Sequence, residues 1–102
     1  QANALVIVGR FSTPPQRFVG ELAHIIASNQ IQHISAGAYS MRCGRYGVAF
    51  DVRVFAGPKG GTDLGMQLLH GDGWIYKELS ARIMQDIGTA MRKGLIPGTV
   101  VA

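Results

Sequence analysis

The chain has 102 residues, 47% of them hydrophobic, and a formal net charge of +4 at pH 7. That length and apolar content exclude a disordered tail and suffice for one core without disulfides or a structural metal. Its apolar runs, such as Ala4–Val8, are far too short to span a bilayer, so no membrane partner is expected. A single cysteine, Cys43, rules out an internal disulfide and the secreted scaffolds built on them, which favours a cytoplasmic protein.

In chain order, Ala4–Val8 is a short apolar run closed by Gly9 and reads as a buried strand. Ser12 or Thr13 then offers a helix cap, with Pro14 and Pro15 suited to a first turn that needs no amide donor. A helix is predicted over 14–28, with Phe18, Leu22, Ile25, Ile26 and Asn29 near one face and Arg17, Glu21, His24 and Ser28 on the other.

Residues 31–43 and 48–56 read as two strands of a hairpin joined by Gly44-Arg45-Tyr46-Gly47. A three-residue connection, with Gly47 left-handed, places Arg42 opposite Phe50, Tyr39 opposite Arg53 and Gly37 opposite Phe55. One sheet face then carries Ile34, Ala36, Ala38, Phe50, Val52 and Val54, and the other Tyr39, Met41, Asp51, Arg53 and Phe55. A slip of one residue would regroup both faces.

Gly57–Gly61 is a turn, and the alternation of Leu64, Met66 and Leu68 predicts a strand over 64–70. Asp72 caps a second helix over 74–93, whose stripe is Ile75, Leu79, Ile83, Ile87 and Met91. Trp74 is expected to anchor that helix in the core. Gly94 and Pro97 end it, leaving Thr99–Ala102 as a short strand or a frayed end. The order β-α-β-β-(β)-α predicts one α+β domain over 1–102, a compact two-layer sandwich in which both helices cover one face of a mainly antiparallel sheet.

The charge is unevenly placed along this order. Residues 1–60 carry Arg10, Arg17, Arg42, Arg45, Arg53 and Lys59 against Glu21 and Asp51, whereas Lys77, Arg82, Arg92 and Lys93 balance Asp63, Asp72, Glu78 and Asp86 in the remainder. All the net charge therefore lies in the first part of the chain, which points to an anionic partner.

The candidate site is the uncovered sheet face with its loops. Tyr39 and Phe55 supply rings on which bases stack, and Arg42, Arg45, Arg53 and Lys59 supply cations for phosphate, as single-stranded nucleic acid or another polyanion requires. No aromatic-rich ribonucleoprotein run accompanies them. The competing use of the same rings is a homodimer that buries the open face.

Enzyme chemistry has weaker support. Cys43 lies among Arg42, Gly44 and Arg45, but no base is identifiable among His24, His33 and His70, and the place six residues further on that a phosphate-cradling cysteine loop gives to arginine holds Ala49. Gly57-Pro58-Lys59-Gly60-Gly61 lacks the Gly-Lys-Ser/Thr ending of a phosphate loop. The histidines with Asp51, Asp63 and Asp72 match no metal-ligand spacing, so no cofactor is expected.

Overall fold

A computed structural model describes residues 3–102. Five strands and two helices follow in the order β1 (Val6–Phe11), α1 (Pro15–Ser28), β2 (Gln32–Ala36), β3 (Ser40–Arg45), β4 (Val48–Ala56), β5 (Thr62–His70) and α2 (Gly73–Arg92). The strands form one open antiparallel sheet in the spatial order β1-β5-β4-β3-β2. Both helices lie on one face, so the expected α+β sandwich holds. No helix among the described residues is long and apolar enough to cross a membrane.

The core lies between the layers. From α1 come Phe18, Leu22 and Ile26; from α2 come Leu79, Ile83, Ile87 and Met91. These residues recur at helical spacing, so each helix presents one apolar stripe to the sheet. The inner sheet face answers with Phe11, Met41, Cys43, Phe50, Val52, Val54, Leu64 and Met66. Phe11 and Phe18 stack with ring centroids 4.7 Å apart, tying β1 to α1. Asp72 caps α2 as its sequence implies, accepting from the Trp74 and Ile75 amides at 2.8 and 3.2 Å.

Four local expectations are corrected. The predicted strand 31–43 breaks at Gly37–Tyr39, where the Gly37 amide donates to the Ser40 carbonyl and reverses the chain. That break creates the β2–β3 hairpin and a fifth strand. The β3–β4 connection has two residues, not three: Tyr46 and Gly47 both have positive φ, at 52° and 73°, and Arg45 pairs directly with Val48. Positive φ at both central positions is the turn whose twist matches paired strands.

That turn moves the register by one residue. Met41 faces Val52, Cys43 faces Phe50 and Arg42 faces Asp51. Met41 therefore joins the core and leaves the open face, while Ile34 is exposed instead of buried. A left-handed Tyr46 costs roughly 1–2 kcal/mol, but burying one Met side chain returns about 1.5–3 kcal/mol. The three-residue turn would also drive the Arg42 guanidinium beneath the helices, so the observed register wins.

The remaining corrections concern the helix starts. Ser12 and Thr13 do not cap α1, whose N-cap is Pro14 without a side-chain bond. Their hydroxyls instead hold the chain's last segment: Ser12 Oγ accepts from the Thr99 amide at 2.8 Å and Thr13 Oγ1 donates to the Pro97 carbonyl at 2.7 Å. Trp74 does not enter the core. It is 77% exposed at the first turn of α2, with the Lys77 ammonium 5.2 Å from its ring centre.

Held in this way, the C-terminal residues run along β1. The Ser12 amide donates to Thr99, the Arg10 amide to Ala102 and the Val101 amide to Arg10. Thr99–Ala102 thus covers that edge of the sheet. Gly98 makes the approach feasible: its φ is +125°, and a Cβ built there falls 2.3 Å from Thr13 Oγ1.

Replacing Gly98 with Ala is expected to destabilise the fold by about 1–3 kcal/mol and to remove hydrogen-exchange protection from the Arg10 and Ser12 amides. Gly20 sits in α1 with ordinary φ and open space around it. Gly20→Ala should stabilise by about 0.5–1 kcal/mol, and urea melts of the two variants measure both signs.

Candidate functional site on the open sheet face

With both helices on one side, the other face of the sheet is built from alternate residues of β3, β4, β5 and β1. The register arranges them in rows: Arg42, Asp51 and Gln67; then Ser40, Arg53, Gly65 and Ile7; then Phe55, Asp63 and Arg10. Neighbours within a row lie about 5 Å apart, and rows about 6.8 Å apart.

Two of the three arginines on this surface are paired. Arg42 Nε and its terminal amine donate to the two Asp51 oxygens at 2.8 and 3.0 Å, and Arg10 does the same to Asp63 at 2.7 and 3.0 Å. This two-point geometry suits a planar guanidinium facing a carboxylate. Asp51 is only 6% exposed, so its charge depends on the partner. The hydrogen bond from Arg42 holds the Asp51 carboxyl below its ordinary value against the opposing effect of burial, with the charges of Arg42 and Arg53 assisting. The hydrogen bond from Arg10 likewise lowers Asp63.

Arg53 lies between the two pairs. Among the described residues its side chain has no ion-pair or hydrogen-bond partner, and it is exposed. Three arginines against two aspartates leave one net positive charge on the central face, and it resides at Arg53.

Phe55 is the aromatic group of this surface. A Cβ built on Gly65 falls 2.9 Å from the Phe55 ring and 3.3 Å from Leu5 Cδ1, so both side chains converge over the glycine. The missing side chain gives the ring a floor. At 37% exposure Phe55 still presents surface to solvent. Leu5, Ile7 and Phe55 form an apolar strip beside Arg53.

The other expected site residues lie elsewhere. Tyr39, expected opposite Arg53, is exposed in the β2–β3 turn instead: Ser40 pairs with Arg53, and the Tyr39 carbonyl accepts from the amide of Val54, a core residue, at 2.9 Å. Lys59 is exposed in the turn after β4, with φ +57°, and lines a cavity of about 300 Å³ with Arg10, Phe11, Ser12, Pro58 and Val101. Arg45 belongs to the opposite layer. Its guanidinium donates to the Asn29 carbonyl at the end of α1, to Gln30 Oε1 at 3.3 Å and to the Tyr46 hydroxyl, and lies 4.1 Å from the Tyr46 ring centre. A cation there satisfies a terminal helix carbonyl and complements the helix dipole. The structure therefore brings Arg42, Arg53 and Phe55 together, with Tyr39 and Lys59 at the margins and Arg45 apart.

Sequence reasoning missed Arg10, Leu5, Ile7 and Gly65 as parts of this face. The signal for Arg10 was faint: a charged residue at the end of an apolar strand points to an uncovered face, but its partner Asp63 lies 53 residues away.

Cys43 is fully buried under the helices, and burial, assisted by the charge of Asp51, pushes its thiol up to about 12. Such a thiol is not a nucleophile at neutral pH. Among the described residues no three His, Cys, Asp or Glu side chains cluster as a metal site.

No family model matches this chain, and no curated protein is significantly similar to it. Its functional reading therefore rests on the geometry above.

Because the folded Asp51 and Asp63 carboxyls titrate below their ordinary value of 3.8, their stabilising contribution is present above the unfolded value and is lost as pH falls through the folded one. Urea midpoints measured between pH 7 and pH 2 should drop below about pH 4. Arg42→Met should flatten that limb and lower the midpoint at pH 7 more than Arg53→Met does.

Proposed function

We propose that this protein is a non-enzymatic binding domain whose open sheet face takes single-stranded nucleic acid. The observation that carries the reading is the partly exposed Phe55 ring on its glycine floor, next to an arginine that forms no ion pair among the described residues. A base has a flat, apolar surface that stacks on such a ring, and the phosphate joined to it needs a cation one sheet position away. Arg53 supplies that cation. Arg42 and Arg10 each commit two of five donors to an aspartate, so both retain N–H groups for phosphate or base oxygens. Tyr39 and Lys59 extend the path at two borders.

The charge pattern also weighs against the competing use of this face, a homodimer with sheet packed on sheet. Such a dimer would bury two aspartate–arginine pairs from each protomer, and desolvating paired ions costs several kcal/mol per ion before their attraction is counted. A polar, hydrated ligand avoids that cost. The apolar strip is too narrow to offset it.

Fluorescence-anisotropy titrations with mixed-sequence single-stranded RNA, repeated over a salt series, test the proposal. Phe55→Ala should weaken binding roughly 5- to 150-fold, the equivalent of ~1–3 kcal/mol for one stacked base. Arg53→Gln should reduce the salt slope by about 0.7, one phosphate contact on a single strand, whereas Arg45→Gln should leave the slope unchanged. Absence of binding at low salt would reject the reading.

A further inference from the structure

Two hydroxyls stand apart from the rest. Of the nine serine and threonine side chains, seven take part in a hydrogen bond. Among the described residues the two without a partner are Ser35 and Ser40, and both line one hollow of about 180 Å³ on the open face, bounded also by Gly37, Arg42, Asp51 and Arg53.

The strand register builds this hollow. His33 pairs with Cys43, so an unbroken ladder would set Ile34 opposite Arg42; the shift between His33 and Ser35 sets Ser35 there instead. Bulges re-aim side chains in this way, and here an alkyl group gives place to a hydroxyl beside a guanidinium. The bulge leaves Ile34 58% exposed, so it is not there to bury the isoleucine. Ser40 pairs with Arg53 in the next row. A Cβ built on Gly37 falls 2.9 Å from Ser40 Oγ, so glycine at 37 leaves that hydroxyl its place in the wall.

Donors dominate the lining. Arg42 commits two of its five guanidinium donors to Asp51 and keeps three. Arg53 keeps all five among the described residues. Both Asp51 oxygens accept from Arg42, and the formal charges of the two arginines and the aspartate leave one net positive charge. The hollow is smaller than the roughly 300 Å³ at which sites for drug-sized ligands begin. It suits a tetrahedral oxyanion and excludes a base or a sugar.

We propose that this hollow is a phosphodiester subsite, in which Arg53 and Arg42 donate to the non-bridging oxygens and the Ser35 and Ser40 hydroxyls add neutral donors. A diester is singly charged and matches the hollow. A monoester carries about −1.5 to −2 at pH 7, and its excess charge would face the Asp51 carboxylate, which is only 6% exposed. Arg53 and Phe55 are two residues apart on β4, about 6.8 Å, so a phosphate held here leaves its neighbouring base within reach of the ring. The backbone as source of that phosphate rests on the single-strand reading above; the pocket's affinity for the group is measured apart from it.

Backbone-amide NMR titrations with diethyl phosphate, at an ionic strength held constant with sodium chloride, provide the test. Two charge-assisted hydrogen bonds give millimolar binding, so the titration runs to about 50 mM. Saturable shifts are expected at Ser35, Gly37, Ser40 and Arg53, and none at Arg45. The double variant Ser35→Ala, Ser40→Ala removes two hydroxyls that bond nothing in the fold and should weaken binding about 3- to 10-fold. Ethyl phosphate, a monoester of charge about −2 near pH 8, should bind no more tightly than the diester. The same double variant should weaken single-stranded RNA by a similar factor in anisotropy titrations. Pocket amides that diethyl phosphate leaves unmoved, an unchanged affinity in the double variant, or tighter binding of ethyl phosphate would each overturn the subsite. RNA bound equally by wild type and double variant would overturn it too, while leaving Phe55 stacking intact. Diethyl phosphate binding at these residues without any RNA binding would support the subsite and sink the single-strand reading alone.

Discussion

The two-residue turn at Tyr46-Gly47 is the constraint on which both faces of the sheet depend. Side chains alternate along a strand, so one residue more or less in the turn exchanges inside for outside along β3. With two residues, Met41 and Cys43 enter the core opposite Val52 and Phe50, and Arg42 reaches Asp51 on the other side. The backbone cost at Tyr46 is outweighed by apolar burial, and a guanidinium is kept out of the helix interface. Local strain, core composition and surface electrostatics are therefore settled at one position in the chain.

The open face follows from that register. Its two bidentate arginine–aspartate pairs neutralise most of its charge, so the basic balance of the first 60 residues does not become a broad positive field. What remains is local: one arginine, unpaired among the described residues, beside a ring that rests on a glycine. The arrangement suits a ligand with a flat group and an adjacent anion better than it suits a large apolar partner. Edge chemistry adds a separate feature, because hydroxyls of Ser12 and Thr13 recruit the C-terminal segment to β1 while β2 is left open.

Much of this architecture was legible in the chain. The α2 cap at Asp72, both helical stripes and the alternating strand around Leu64–Leu68 depend on short-range patterns, and each is found where those patterns put it. The errors share a cause. Ser12 and Thr13 look like helix caps until Pro97 and Thr99, more than 80 residues away, compete for their hydroxyls. Ala36-Gly37-Ala38-Tyr39 carries no strong turn signal, so the break into β2 and β3 is set by tertiary pairing. Trp74 was assigned to the core by its size, yet its place at N2 of α2 points it to solvent. On the open face, Arg53 and Phe55 fall together as expected because they alternate along β4; Arg42 joins them only through the two-residue turn, and Arg10 and Gly65 only through long-range strand pairing.

The central claim, that the open face is the ligand surface, is tested most directly by backbone-amide NMR during titration with a single-stranded oligonucleotide. Shift changes should concentrate at Ile7, Arg53, Phe55 and Gly65, with smaller changes at Tyr39 and Lys59 and none along α1. Changes confined to the helices, or saturable binding that leaves those four amides unmoved, would contradict the account.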